Sequence, residues 1–230
     1  KLCDLNRGPF EKVEFDGFSL DIAVPVLETD FLIDLPVLKT HNSTRVTLGF
    51  KNLKGCLARR SKIFCHHPEI PLNRFIQRLG EKLAPALTLI DGIYALDRGP
   101  AVNGTAHRAD ILIASRDMFA ADVAGAMILG MDPAEIGHLA EHARRHDLPL
   151  DGSNIELCGE NLSDLVMPLK WDWGWLEDNS GPTAFGRMGI RGIHYPKYDD
   201  TICSGCSFLN NMILILLLGA YTGEPFDNIE

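Results

Sequence analysis

No apolar stretch of this sequence is long enough to cross a bilayer. The longest, Met212 to Ala220, has about half of the roughly 20 residues a spanning helix needs, and it reads as a buried helix. No charged leader followed by an apolar core opens the chain, so no secretory signal is visible and a cytoplasmic location without a membrane partner is expected. The chain starts at Lys1 without Met and stops in mid-phrase at Ile229-Glu230, so a fragment of a longer protein is expected. The broadly basic face that nucleic acid demands is missing as well, since the formal net charge is −9. Internal repeats and low-complexity tracts are absent, and the 46% hydrophobic and 23% charged fractions are those of an ordinary globular chain. Cysteine is sparse: Cys3, Cys56 and Cys158 stand singly and read as reduced core thiols rather than a disulfide framework.

One further absence is local. Between Asp34 and Glu69 there is no acidic residue, while Lys39, Arg45, Lys51, Lys54, Arg59, Arg60 and Lys62 are all basic. The segment carries +7 in a chain whose remainder sums to −16. A cationic knot with His41, His66 and His67 on an acidic protein points to a small anionic ligand held at one place.

Apolar runs of strand length alternate with helix-period stretches, the pattern of an α/β layer fold. The expected architecture is a layered, mostly parallel sheet flanked by helices, followed by an irregular excursion rich in Trp, Gly and Pro (Leu162 to Tyr198) and a C-terminal helix, Phe208 to Tyr221. Residues 1–160 form the α/β core with the cationic helix, and residues 161–230 pack on the same domain. Phe31 to Leu38, Leu87 to Ile90 and Ile111 to Ala114 read as strands, with Ile155 to Leu157 as a last one. Helices are expected over Thr44 to Leu57, Pro71 to Leu83, Met118 to Leu129 and Ala134 to Arg145. The first of these has an apolar stripe (Val46, Gly49, Phe50, Leu53, Leu57), with Ser43 or Thr44 as its N-cap.

The helix after His41 invites chemistry in two ways. Its N-terminus, at Thr44, would favour a phosphate or carboxylate. Opposite the stripe, Thr47, Lys51 and Lys54 share a face that either cradles an anion, with Lys39 nearby, or is simply solvated. Lys51 also suits a nucleophile or cofactor anchor if neighbouring charge lowers its pKa. His41 and His67 suit metal ligation or proton transfer. Asp91 and Asp117 fall at expected strand ends, where open α/β sheets bind ligands, though both also suit turn or capping roles. Cys203-Ser204-Gly205-Cys206 precedes the last helix, and Cys203 and Cys206 suit metal or cluster ligation, dithiol redox chemistry, or paired structural thiols.

The runs LPVLKTHNSTRVTLGFKNLKGC with a downstream His, LIDGIYALDRGPAVNG and ILIASRDMFAADVAGAMILGMDP resemble the DUF362 family, in order, over most of Phe31 to Arg145. That family's biochemistry is undefined. Its members often carry ferredoxin-like cysteine clusters, so the resemblance implies an iron–sulfur or other transition-metal cofactor and an oxidoreductase-type role. This chain departs from that pattern in having CSGC and no four-cysteine run. A second, narrower resemblance is to the nickel-pincer lactate racemase group, through His41, Lys51 and His67 in order. It implies a racemase or isomerase of small hydroxy acids, with His41 as acid/base and Lys51 anchoring the cofactor. A third reading is a non-enzymatic metal or cluster accessory protein. The reading carried forward is a DUF362-like protein that binds an anionic ligand or metal-containing cofactor at the Lys/His-rich helix.

Overall fold

The computed structural model describes residues 2–67, 69–98, 104–171, 183–192, 216 and 219–226. An antiparallel hairpin, β1 (Phe10–Phe15) and β2 (Phe18–Ala23), leads into α1 (Val24–Leu27). The stretch expected as one strand from Phe31 is two, β3 (Ile33–Asp34) and β4 (Val37–His41). Pro36 separates them, because it has no N–H to give to a ladder.

The expected helix over Thr44 to Leu57 breaks into pieces. Arg45 and Val46 form β5 (Arg45–Val46), which turns back on β4, and α2 spans only Leu48–Asn52 before a 3-10 turn over Leu53–Cys56. The reason is local hydrogen bonding. His41 Nδ1 accepts from the Ser43 and Thr44 amides at 3.1 and 3.4 Å, and Thr44 Oγ1 donates to the Val46 carbonyl at 2.9 Å. The last of these occupies the Val46 carbonyl, which in a helix would accept from the Phe50 amide, and that amide goes instead to Asp122. Arg45 (φ 63) and Leu48 (φ 45) are forced into the left-handed region around the turn. The apolar stripe is nonetheless buried throughout, with Val46, Phe50, Leu53 and Leu57 all in the core.

After α3 (Arg59–Phe64), α4 (Leu72–Leu83) starts behind Pro71, which needs no N–H there, and stops at Ala84 before Pro85. β6 (Leu87–Leu96) runs through Asp91-Gly92 rather than ending at Ile90, because β7 (Ala106–Ser115) pairs with it over most of its length. α5 (Met118–Ile128) is capped by Asp117, whose carboxylate accepts from the Phe119 amide at 2.9 Å. The next helix is delayed by a 3-10 turn at Pro133–Glu135, so α6 covers Gly137–His146. Ile155 to Leu157 forms no strand.

In the sheet, β6 is central. β3 and β4 lie parallel to it on one side, β7 antiparallel on the other, and β5 extends the β4 side. α5 covers β6 and β7, α2 is wedged between α5 and α4, and α6 packs on α4. Ile90 and Leu38 from the sheet meet Phe50, Phe75, Leu79 and Phe119 from the helices in one core. The other sheet face leaves Ile33, Val37 and Leu112 exposed. The segment before Trp171 is stitched to the core by Met167 N donating to Ile128 O (2.6 Å) and Leu169 N donating to Leu129 O (3.1 Å). Among the described residues no helix is long and apolar enough to cross a membrane. The excursion beyond Trp171 and nearly all of the expected C-terminal helix lie outside the described residues.

Two close approaches hold α2 in place. The buried Asp122 carboxylate on α5 accepts from the amides of Gly49 (2.7 Å) and Phe50 (3.0 Å). A Cβ on Gly49 would stand 2.8 Å from Asp122 Oδ1, so only glycine lets that carboxylate in. On the other side, a Cβ on Gly80 of α4 would meet the buried Phe50 ring at 2.3 Å. Gly80→Ala should therefore overpack the α2–α4 contact and destabilise the fold by about 1–3 kcal/mol. An unchanged thermal midpoint would contradict that packing.

Burial pushes the Asp122 carboxyl up to about 8, against the pull of its two N–H donors. In the unfolded chain the same group titrates near 3.8, so between these values the folded state holds more protons. Stability therefore falls as pH rises, and the fall ends once pH passes about 8. Histidines still titrate at about pH 6.5 and thiols at about pH 9, so it is the comparison with Asp122→Asn, which shares both, that isolates the effect. Asp122→Asn should start lower by about 1–3 kcal/mol, since one amide then faces a donor. Between about pH 7 and 9 its urea midpoint should then fall less than the parent's, because the variant lacks the Asp122 proton.

Candidate functional site

The carboxyl ends of β4 and β6 lie side by side, with Lys39 opposite Leu96. This is where open α/β sheets place ligands. β4 ends in His41, which is 1% exposed, and β6 runs into Asp97, which accepts from the Thr105 amide at 2.7 Å. Around His41 gather Lys39 from β4, Lys51 from α2, Lys54 from the 3-10 turn and His66 from beyond α3. Burial first, and then the charges of Lys51, Lys54, Lys39 and His66, hold the His41 pKa well below the usual imidazole range. With Nδ1 accepting from two amides, the neutral ring carries its proton on Nε2. Lys54 Nζ meets His66 Nε2 at 2.7 Å, and burial lowers the pKa of Lys39. Lys51 also faces α6: buried His138 is pushed down to about 3, by burial and then by the Lys51 charge.

A second property of the site is polar atoms without partners. Asn42, 2% exposed, has neither amide oxygen nor amide nitrogen hydrogen-bonded, and buried Thr47 Oγ1 and His66 Nδ1 are also unsatisfied. The Thr47 amide donates to the Lys39 carbonyl at 3.1 Å, which fixes that hydroxyl beside β4. Buried polar groups are nearly always satisfied, so a cluster of exceptions beside half-buried cations marks a place where ligand atoms or ordered water complete the bonding. The rim is made by Lys170, whose carbonyl accepts from Thr40 Oγ1 (3.0 Å) and the Arg98 amide (2.9 Å), and by Trp171, which lies 4.9 Å from the Arg45 guanidinium.

The +7 segment therefore divides. Arg60 pairs with Asp21 (2.8 Å), Arg45 with Glu135, and Lys62 with Asn6 (2.8 Å), while Lys39, Lys51 and Lys54 converge on His41. Thr44 shapes the turn beneath His41 and does not cap a helix. The helix N-terminus expected to receive an outside anion is taken by the protein's own Asp122. His67 packs at a tilt against Phe64 and accepts from the Glu69 amide at 3.2 Å, whereas its neighbour His66 is the one that reaches Lys54. Asp91 is exposed, accepts from the Ile93 amide, and lies opposite Val37. That is four residues along β4 from His41, about 13 Å. Asp117 caps α5 and lines a different cavity, with Phe50, Glu81 and His142.

Cys203 and Cys206 lie outside the described residues. Burial pushes the Cys56 and Cys65 thiols up to about 11, and no three-ligand group among the described residues contains a cysteine. Asn42 escapes sequence reasoning because its significance is burial without a partner, whereas Thr47 stands on the face read from the sequence as an anion cradle. His66 was visible there as one of three histidines, and only the turn after α3 selects it.

The family described as a domain of unknown function, DUF362, matches residues 1–127, which take in both hairpin strands, the whole sheet and nearly all of α5. The thylakoid-associated protein sll1697 of Synechocystis sp. is 34% identical over 143 residues, covering 60% of this chain and 44% of that protein. The chain thus spans less than half the length of that relative. No solved structure matches it. With more than half of its residues matched by the family, and with the site's lysines and His41 inside the matched region, the chain belongs to the DUF362 family.

Proposed function

We propose that this chain binds a small anionic ligand, or an anionic cofactor that carries a metal, where β4 and β6 end. The observation that carries the reading is the convergence of Lys39, Lys51, Lys54 and His66 on a buried imidazole next to the unsatisfied side chain of Asn42. Several positive charges gathered at one place, part of them half-buried, raise the local potential and attract an anion. Lys39, Lys51 and Lys54 would hold that charge, and Asn42 and Thr47 would supply the directional hydrogen bonds. A metal-bearing cofactor would meet the same lysines through its anionic groups, and the unpartnered Nδ1–H of His66, whose Nε2 accepts from Lys54, would donate to one of those groups.

His41 gives the reading its pH signature. Its pKa is held down by burial and by neighbouring cations, so an anion that offsets those cations raises it. A ligand that raises a proton affinity binds more tightly as pH falls. Calorimetric titration with sulfate, which has no proton to exchange in this range, should show affinity rising as pH falls below about 6.5, with proton uptake when buffers of different ionisation enthalpy are compared. His41→Gln should remove both effects. Affinity independent of pH in the parent would count against the site.

Lys39→Met separates a binding role from a structural one. Replacing a half-buried amine by an apolar side chain of similar length should raise the ligand-free thermal midpoint. The same change should weaken anion binding at least about tenfold, or 1.4 kcal/mol. A loss of stability together with unchanged binding would mean that the amine is there for the fold. Elemental analysis of the same preparations reads whether the ligand brings a metal.

A further inference from the structure

On the opposite flank of the helical layer, α4 and α6 bring together three metal-ligating side chains that the anion site does not use. His142 and His146 are one helical turn apart on α6 and so project from the same face. Glu81 comes from the facing turn of α4. Glu81 Oε1 lies 2.6 Å from His146 Nε2 and 3.7 Å from His142 Nδ1, and one donor atom from each residue falls within 4.8 Å of the others. We propose that Glu81, His142 and His146 bind a divalent transition ion of the Zn2+ class, with a coordination position left open.

The donor set is two imidazoles and one carboxylate, which suits borderline ions such as Zn2+ and is poor for Mg2+ or Ca2+, which want oxygen. Tetrahedral coordination with bonds of about 2.1 Å separates ligand atoms by roughly 3.4 Å. The 3.7 Å pair is already close to that spacing, and the 2.6 Å pair is a hydrogen-bond distance that an ion would widen. Only side-chain adjustments separate the present arrangement from a coordinating one.

Two further observations point the same way. His142 Nδ1, aimed at Glu81, is buried and has no hydrogen-bond partner. The His142 ring is held between Phe50 and Phe119, with centroids 5.1 Å from each, so its orientation is fixed by packing before any ion arrives. Such a firm apolar surround favours a defined geometry. Beside the three ligands opens a cavity of about 180 Å³ lined by Phe50, Glu81, Arg116, Asp117, Phe119 and His142. It has room for a water or a small anion at the remaining coordination position.

The surrounding charges act in both directions. Arg145 Nε reaches Glu81 Oε1 at 3.3 Å and Arg78 reaches Oε2 at 3.4 Å, so each competes with a cation for that carboxylate. Asp117, on the cavity wall, favours one. The competition yields a variant that gains affinity: Arg145→Ala frees Oε1 and should tighten binding several-fold, a result that damage to the fold cannot mimic. Glu81→Gln and His146→Ala each remove one ligand and should weaken binding at least tenfold.

The test is Zn2+ titration of the whole chain, with Co2+ as a coloured substitute. The expected result is one site that weakens in Glu81→Gln and His146→Ala and tightens in Arg145→Ala, with Co2+ bands that lose intensity in the first two variants. Equal Zn2+ affinity in the parent and all three variants would overturn the proposal and leave Glu81, His142 and His146 as an ion-pair network between helices. Because the anion site is not altered by these substitutions, sulfate titration of the same variants reports on it separately.

Discussion

The bond on which the rest of this arrangement depends is the one between the Asp122 carboxylate and the amides of Gly49 and Phe50. α2 has only five residues and no side-chain cap of its own, too short to hold itself helical. It stays helical because α5 supplies the acceptor for its first amides and Gly80 admits the Phe50 ring on the other side. Everything that α2 carries is thereby placed: Lys51 at His41, and Asn52 with its amide 2.7 Å from Asp34.

A polarity across this short helix follows. On one side lie two buried acids, Asp34 raised to about 6 and Asp122 to about 8, chiefly by burial. On the other side lie the lysines that depress His41. Both groups sit in surroundings that disfavour their charge, an expense the fold bears near the carboxyl ends of parallel strands, where ligands bind. Strained backbone at Arg45 and Leu48 flanks the same turn.

Much of the fold was legible in the sequence. The alternation of apolar runs and helix periods gave the α/β class, and Pro71, Pro85 and Asp117 marked boundaries that the helices observe. What was not legible arose from competition that periodicity ignores. The 44–57 stretch has a helical stripe, yet His41 and Thr44 take up its first backbone groups and a strand forms instead. β6 outran its expected end because a partner strand, not its own composition, carries it through Gly92. Of the site, the charge anomaly between Asp34 and Glu69 led to Lys39, His41, Lys51 and Lys54. It overstated the cluster, because Arg45, Arg60 and Lys62 find partners that only the three-dimensional fold supplies. Asn42 left no trace in the sequence, since an asparagine in a turn is commonplace and burial without a partner is not.

The central claim is that this cationic cluster at the ends of β4 and β6 receives an anion. Crystals of the protein soaked in selenate, whose selenium is located by anomalous scattering, address it most directly. The account predicts a selenium peak within hydrogen-bonding reach of Lys51, Lys39 and the Asn42 side chain. A cluster occupied by one of the chain's own carboxylates, with selenium bound only at exposed arginines such as Arg59, would contradict it.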